Sequence, residues 1–98
     1  MNLGKAIKRF RSERNMSQGD LCREAEISLT FLSQIENGRN NPSVETMEKI
    51  SDALKVPVAI ISFYAIEETD VQPNKREFFK EVFPLMDNLM KDVISLED

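Results

Sequence analysis

Residues 17–38 read SQGDLCREAEISLTFLSQIENG, and this stretch decides how the chain folds. Ser17 and Ser28 each stand where the N-cap of a helix belongs, because a serine side chain can accept a hydrogen bond from a first-turn backbone N–H. The apolar residues after each serine repeat at helical spacing, and Asn37-Gly38 ends the second pattern, since glycine tolerates the left-handed conformation. The stretch therefore predicts two short helices joined by a turn of a few residues.

Helical patterns continue on both sides of this stretch. Apolar spacing predicts a first helix over residues 3–13 and a fifth over residues 57–66, which begins at a proline. Between them, Ser43 caps a fourth helix in which we expect Val44 to face the core. We therefore expect residues 1–66 to form one domain of five helices, and the fold class to be all-α.

The chain changes character after residue 66. Residues 67–74 show no periodic pattern and include a proline, so we interpret them as a linker. Residues 75–98 have a helical pattern and are expected to form a C-terminal helical segment. Pro84 interrupts the backbone hydrogen bonds of that segment, so we expect a kink there, or two helices with Pro84 in the first turn of the second.

The distribution of charge matters more than the net charge of −4. Residues 1–66 carry nine basic and eight acidic side chains, whereas residues 67–98 carry four basic and nine acidic ones. Contacts to phosphates act over about a Debye length of ~10 Å, so a DNA-binding face needs only local positive charge. The chain has one cysteine and neither a signal-peptide pattern nor a membrane-length apolar run, and we expect it to be cytoplasmic.

The residue inventory argues against an enzyme. The chain has no histidine and no glycine-rich phosphate loop, and its single cysteine, Cys22, falls on the apolar face of a predicted helix. No cluster of metal-ligating residues is apparent. We therefore expect no catalytic residues, no metal and no cofactor.

The central residues also carry a family resemblance. In order and spacing, the following residues resemble the Xre family, which includes the lambdoid phage repressors and Cro proteins: Arg11, Ser17-Gln18, Leu21-Cys22, Ala25–Ser28, Phe31–Gly38 and Pro42-Ser43. The resemblance covers about residues 3–62. It implies a lambda-repressor-like helix-turn-helix domain of five helices, here with a C-terminal helical extension, that binds double-stranded DNA.

The resemblance makes residues 28–37 the recognition helix, which lies in the major groove. Because Leu32 and Ile35 must face the core, the residues left to contact bases are Leu29, Thr30, Ser33 and Gln34. A glutamine amide can pair with adenine through two hydrogen bonds, hydroxyls can donate or accept, and apolar groups can pack on a thymine methyl. The alternative interpretation is that these side chains form a solvated helix face.

Contacts to DNA phosphates are expected from polar residues beside that helix. Gln18 opens the second helix, where backbone amides and the helix dipole favour a phosphate oxygen. The loop after the third helix supplies the other candidates, which are Asn37, Arg39, Asn40 and Asn41. In the family, the positions of Arg11 and Glu36 form an ion pair that braces the first helix against the recognition helix. Arg14 is interpreted as a solvated charge.

Two residues depart from the family pattern. Glu26 stands at a turn position that is usually glycine, so we expect a non-glycine residue with positive φ there, at a cost of roughly 1 kcal/mol. Cys22 replaces a small residue such as alanine, and we interpret it as a small buried hydrophobe. The first departure affects the angle between the second and third helices, and with it the details of base contact.

Apolar residues in excess of those needed for one core predict an interface between subunits. They follow a heptad-like spacing in the C-terminal segment, where Leu96 extends the series. The residues expected at the interface are Ile60, Phe63, Tyr64, Ile66, Phe79, Val82, Met86, Leu89 and Val93. The alternative is that the C-terminal segment folds back on its own domain.

Together these features and the family resemblance predict a transcriptional regulator that binds an inverted-repeat operator as a homodimer. RNA polymerase is a candidate further partner. The small size and the apolar fifth helix resemble the controller proteins of restriction–modification systems. That resemblance implies control of the protein's own gene and makes restriction–modification genes candidate targets. The alternative from another class is a helix-turn-helix antitoxin whose C-terminal segment binds and neutralises a toxin.

Overall fold

The protein is built from helices. The computed structural model describes residues 1–95, so Leu96 of the predicted interface series lies outside the described residues. Within that range there are six α-helices and no strand, which confirms the all-α class. The helices are α1 (Leu3–Glu13), α2 (Gln18–Ala25), α3 (Leu29–Glu36), α4 (Val44–Leu54), α5 (Val58–Tyr64) and α6 (Arg76–Ile94).

Serine residues begin three of these helices, as their spacing predicts. Ser17, Ser28 and Ser43 are the N-caps of α2, α3 and α4, and each hydroxyl accepts a hydrogen bond of 3.0–3.1 Å from the backbone N–H three residues later. At α2 the Asp20 carboxylate also accepts from the backbone N–H of Ser17 at 2.9 Å, which completes a capping box. The caps satisfy amides that a helix leaves unpaired, and so they define where each helix begins.

The chain divides into two compact units, Met1–Ala65 and the residues from Ile66 onward. In the first unit, α1 packs against α3 and α5, and α2 packs against α3 and α4. These helices enclose one core, whose largest fully buried side chains are Phe10, Ile7, Leu21, Leu32, Ile35, Ile50, Leu54, Ile61 and Val56. Because α2 and α3 both contribute to this core, the core holds the angle between them.

One residue of α4 was predicted wrongly. Val44, expected to face the core, is 75% exposed. It occupies the first position of α4, directly after the Ser43 cap and one turn before the first buried residue of the helix, Met47. The inward face of α4 begins at Met47 and continues through Ile50 and Leu54 at helical spacing.

The turn between α2 and α3 depends on a residue in the left-handed conformation. Glu26 ends α2 with φ 57° and ψ 46°, which confirms the expected positive φ at this non-glycine position. Its backbone N–H donates to the carbonyl oxygen of Cys22. Cys22 is itself buried, which confirms its interpretation as a small core residue.

The second unit begins with two short 3₁₀ helices. Residues 67–74, interpreted as an irregular linker, include the 3₁₀ helix Glu68–Asp70 and part of a second, Pro73–Lys75. The side chain of Arg76, the first residue of α6, stabilises this segment, because its Nε donates to the carbonyl oxygen of Val71 at 3.1 Å. The segment before α6 therefore has more local order than its sequence pattern indicates.

Helix α6 is the long element of the second unit. It is one uninterrupted helix with Pro84 inside it, so the alternative of two helices is wrong. Proline lacks an N–H, and the carbonyl group of Lys80 consequently receives no helical hydrogen bond from position 84. No described residue of α6 is buried. Across residues 1–95, no helix is both long and apolar enough to cross a membrane.

Candidate nucleic-acid interface

Helix α3 has two different faces. Leu32 and Ile35 are no more than 1% exposed and belong to the core. The opposite face carries Leu29, Thr30, Ser33 and Gln34, of which only Ser33 is half-buried and the others are exposed. The core therefore uses one side of α3 and leaves the predicted base-contacting side chains together on the surface.

These side chains line an open depression of about 400 Å³. Its lining consists of Gln18, Leu29, Thr30, Ser33, Gln34, Asn37 and Arg39. At this depression, the start of α2 and the loop after α3 lie next to the outward face of α3. Asn40 and Asn41, predicted to contact phosphates, are exposed but do not line the depression.

The loop after α3 folds back onto the end of that helix. The backbone N–H groups of Arg39 and Asn40 both donate to the carbonyl oxygen of Gln34, at 2.9 and 3.3 Å. Gly38 permits this reversal with a φ of 74°, which side chains strongly disfavour. Asn40 Nδ2 also donates to Gln34 Oε1 at 3.4 Å, a long hydrogen bond that turns the Gln34 amide oxygen towards the loop.

A bidentate ion pair joins α1 to the last residue of α3. Arg11 Nε and Nη2 donate to Glu36 Oε2 and Oε1 at 2.8 and 3.0 Å, and the two side chains are 13% and 3% exposed. Arg11 Nη1 also donates to the carbonyl oxygen of Met16 at 2.9 Å. Hydrogen bonding to Glu36 raises the pKa of Arg11 above its ordinary value. The Glu36 carboxylate, close to the outward face of α3, is thus paired with a permanent positive charge.

Gln18 joins this ion pair through a contact that sequence reasoning missed. Its Nε2 donates to Glu36 Oε1 at 3.1 Å, across 18 positions of sequence. A glutamine amide has two protons, so the second remains for the depression that Gln18 lines. Nothing in the local sequence around either residue signals this contact. Glu36 therefore orients both the bracing arginine and the predicted phosphate ligand.

Arg14 was interpreted wrongly as a solvated charge. It is half-buried, and its Nε donates to the carbonyl oxygen of Leu54, the last residue of α4, at 3.0 Å. Helices leave their last carbonyl groups without an internal partner, and Arg14 satisfies one of them. This contact ties the end of α1 to the end of α4, and so it supports the core and not the outward face of α3.

The apolar residues around the end of α5 are only partly exposed. Those predicted to lie in a subunit interface, Ile60, Phe63, Tyr64 and Ile66, are all half-buried. The Tyr64 ring packs edge-on against the core residue Phe10, with centroids 5.4 Å apart. The guanidinium of Arg9 lies 4.7 Å from the Tyr64 ring centroid, within cation–π distance. Tyr64 thus contributes to the packing of its own unit.

The apolar residues of α6 differ in exposure. Among the predicted interface residues, Leu89 and Val93 are 68% and 55% exposed, whereas Phe79, Val82 and Met86 are half-buried. Phe78 is 69% exposed, and Leu85, which the predicted interface omitted, is 63% exposed. The most exposed apolar stripe of the helix therefore runs through residues 78, 85, 89 and 93, a spacing that keeps them on one face.

Metal-ligating and nucleophilic side chains are a further kind of functional group, besides those on the surface of α3. Residues 1–95 contain no group of three His, Cys, Asp or Glu side chains that could hold a metal ion. Burial raises the pKa of the Cys22 thiol above its ordinary value, and the nearby Glu36 carboxylate raises it further. The thiol is therefore protonated at neutral pH, and a thiol is a far weaker nucleophile than a thiolate. The side chains that line the depression on α3 provide hydrogen-bonding groups and the positive charge of Arg39.

Known proteins are similar to this chain in sequence. The family profile described as Helix-turn-helix matches residues 7–61. The immunity repressor protein of Bacillus phage phi105 is 34% identical over 95 residues, which cover 95% of this chain and 65% of that protein. The control protein C.BamHI of Bacillus amyloliquefaciens is 40% identical over 65 residues, covering 64% of this chain and 80% of that protein.

A solved structure is also similar to this chain in fold. The solved structure of a mutant of the restriction-modification controller protein C.Esp1396I superposes with a TM-score of 0.62 and 29% identity, covering 69% of this chain and 86% of that one. This chain spans less than two thirds of the length of the phage repressor. The matched range, residues 7–61, takes in α2, α3 and α4 entirely, and with them the capped helix pair and the α3 face. The chain therefore belongs to the Xre-type helix-turn-helix family.

Proposed function

We propose that this protein is a sequence-specific transcriptional regulator that binds an inverted-repeat operator in double-stranded DNA as a homodimer. The observation that carries the proposal is the depression on α3, where side chains suited to bases and side chains suited to phosphates lie next to each other. Family membership supports the binding of DNA, and relatives named as a repressor and a control protein support a role in regulation.

Base recognition is assigned to the outward face of α3. Gln34 can donate from Nε2 and accept at Oε1 from one adenine, because the oxygen keeps a second lone pair beside its bond from Asn40. Leu29, which is 55% exposed, offers apolar surface to a thymine methyl. The hydroxyl groups of Thr30 and Ser33 can donate or accept. These four side chains would therefore specify the sequence of each half-site.

Phosphate contacts are assigned to polar residues that line the depression and to two asparagines of the loop that follows α3. Gln18 would donate its second amide proton, Arg39 would supply positive charge, and the remaining donors would be the amides of Asn37, Asn40 and Asn41. The pairing of Glu36 with Arg11 supports this assignment, because an unpaired carboxylate at this place would repel phosphate. The surplus of acidic side chains lies in residues 67–98 of the sequence and not in the helices that line the depression.

A homodimer is proposed because a single small module discriminates weakly against the many competing sites of a genome. In a dimer, two helix-turn-helix domains related by a twofold axis would bind half-sites whose centres are about 34 Å apart, or a multiple of that distance. The proposed interface consists of Ile60, Phe63, Tyr64, Ile66, Phe79, Val82, Met86, Leu89 and Val93, to which exposure adds Phe78 and Leu85. Its support is the exposed apolar stripe of α6, since soluble proteins rarely leave such a patch uncovered.

The proposed regulation is control of the protein's own gene, with restriction–modification genes as candidate further targets. The relationship to the control protein C.BamHI supports this choice. Activation would make RNA polymerase a partner at the promoter, and the cytoplasm is the compartment in which such a regulator meets DNA. The antitoxin alternative rests on the same α6 stripe, with a toxin as its occupant. A neighbouring gene whose product binds α6 would favour that alternative.

The DNA-binding proposal is tested by selecting bound sites from random duplexes. We expect the full chain to select an inverted repeat. Gln34→Ala should weaken the binding free energy for that site by roughly 1–3 kcal/mol and relax the sequence preference at one base pair. Gln18→Ala should weaken binding to all DNA sequences to a similar extent. Glu48→Ala, on the exposed surface of α4, is the control and should leave binding unchanged. Selection of no sequence, or unchanged specificity in Gln34→Ala, would contradict the assignment.

The dimer is tested by analytical ultracentrifugation of the full chain. We expect a dimer at micromolar concentration, and a monomer or a weaker dimer for the double variant Leu85→Ser, Leu89→Ser, because both side chains are exposed on α6. Glu77→Gln, on the polar side of the same helix, should leave the assembly unchanged. A full-length monomer would overturn the dimer, and a variant that remained a tight dimer would move the interface to the end of α5.

A further inference from the structure

We infer that Gly4 is a positioning residue for DNA reading, because it sets how closely α1 approaches the backbone of the recognition helix α3. The inference rests on the proposed function, and it adds a determinant of specificity that does not touch DNA. Gly4 lies in the first turn of α1, remote in sequence from every residue assigned to bases or phosphates.

The contact at Gly4 is between two backbones. Gly4 is buried, and a methyl group on its Cα would overlap the carbonyl oxygen of Ile35. The same methyl would lie 3.0 Å from the carbonyl carbon of Ile35 and 3.1 Å from the Cα of Glu36. Because these are main-chain atoms within the last turn of α3, no change of rotamer relieves the overlap. Any larger residue at position 4 requires α1 or α3 to move.

Helix α1 therefore holds the last turn of α3 at two places. Gly4 meets the backbone of Ile35, and Arg11 binds the carboxylate of Glu36 through two hydrogen bonds. Seven residues, or two turns and about 10 Å along the helix axis, separate the two contacts on the same face of α1. Ile7, which is fully buried, fills the interval. The pair of contacts restrains both the depth and the tilt of α3.

A displacement of this turn would affect base reading more than phosphate binding. Gln34 lies in the same turn, and Gln18 is tied to Glu36 by the 3.1 Å hydrogen bond. Two simultaneous hydrogen bonds to one base require placement to within about 0.5 Å, whereas attraction to phosphates persists over ~10 Å. Loosening the approach of α1 to α3 should therefore lower specificity before it lowers overall attraction to DNA.

The test is Gly4→Ala in the full chain, with affinity measured for the operator selected by the wild type and for an unrelated duplex of equal length. Both titrations are corrected for the folded fraction from circular dichroism. We expect operator affinity to fall about tenfold or more and affinity for the unrelated duplex to change less than about twofold. Gly19→Ala is the matched glycine control for folding, because its methyl would meet only the Ser17 hydroxyl, at 3.7 Å.

An unchanged ratio of the two affinities would overturn the inference, whether both fall together or neither falls. If Gly4→Ala is unfolded in buffer, both proteins are compared in trimethylamine N-oxide, which favours compact states. A chain that stays unfolded there would make Gly4 a residue of folding alone and would also overturn the inference. A wild type that selects no operator would instead contradict the proposed function, so the two failures are distinguishable.

Discussion

The two units of this chain use apolar residues in opposite ways. The first, residues 1–65, encloses most of its large aliphatic side chains in one core, with Leu21, Leu32 and Leu54 all at 0% exposure. In the second, α6 buries no described residue and leaves Leu85 and Leu89 more than 60% exposed. The difference indicates that the first unit buries enough apolar side chains to form its own core, whereas α6 carries exposed apolar side chains of the kind that mark an interface.

The largest expected effect is the loss of the polar brace in the first unit. Glu36→Ala removes the carboxylate that Arg11 and Gln18 share, leaving a mostly buried guanidinium without its partner. We expect unfolding free energy to fall by roughly 3–5 kcal/mol, and the joint replacement Arg11→Met, Glu36→Leu to cost less than the sum of its parts. Urea unfolding of the wild type, the single variants Arg11→Met and Glu36→Leu, and the double variant measures the coupling. Zero coupling would show that the brace contributes no more than a surface pair.

A matched pair of leucines compares the two units directly. Leu21→Ala, at a position with no exposure, should destabilise the fold by about 2–5 kcal/mol, because it leaves a cavity in the core. Leu89→Ala, at a position 68% exposed, should change the stability of the isolated chain by less than about 0.5 kcal/mol while weakening self-association. Unfolding at low protein concentration gives the first quantity and sedimentation the second. Equal costs for the two leucines would remove the contrast between the units.

Pro84 interrupts the backbone hydrogen bonds in the middle of α6, in the second unit. Pro84→Ala restores the N–H that α6 lacks at its middle and should stabilise that helix by about 1–3 kcal/mol, because proline inside a helix is costly. Hydrogen exchange of the α6 amides measures the gain. Asn88→Ala, an exposed position in the same helix, is the control and should gain only a few tenths of a kcal/mol. No excess gain in Pro84→Ala would mean that the helix accommodates proline without loss.

The smallest expected effect lies at the left-handed residues of the first unit. Glu26→Gly should stabilise the protein by about 0.5–1 kcal/mol, because glycine adopts φ 57° without strain, although it also loses more entropy on folding. Lys55→Gly is the matched control, since Lys55 ends α4 with φ 59°. Thermal unfolding at a single pH compares the two. If Glu26→Gly lowered the thermal stability while Lys55→Gly raised it, the Glu26 side chain would have a stabilising role.

Local rules predicted the helices of the first unit because their determinants are close in sequence. A serine three residues before the amide that it caps, at Ser17, Ser28 and Ser43, needs no tertiary information. The same rules failed at Val44, where an apolar residue in the first turn matched the periodicity but lies ahead of the buried face. They also missed the 3₁₀ helices between residues 68 and 75, whose polar sequence carries no periodic signal.

The candidate site was predictable in its outline and not in its connections. Removing Leu32 and Ile35 from the surface of α3 was enough to identify the outward side chains that now line the depression. The hydrogen bonds from Gln18 to Glu36 and from Arg14 to Leu54 had no sequence signal. Each joins residues on different helices, and the distance between them depends on how those helices pack.

The family was indicated by the resemblance of particular residues between Arg11 and Ser43 to a known family. The pattern of caps and apolar spacing was sufficient to specify an all-α chain and the capped helix pair. Those features depend on interactions between residues a few positions apart, which the sequence displays directly. The packing of the helices, in contrast, brings Gly4 against the backbone of Ile35 and lets one carboxylate, Glu36, accept hydrogen bonds from both Arg11 and Gln18. The physical reason is that close packing of helices makes contacts between distant residues depend on fractions of an ångström, and no local pattern records them.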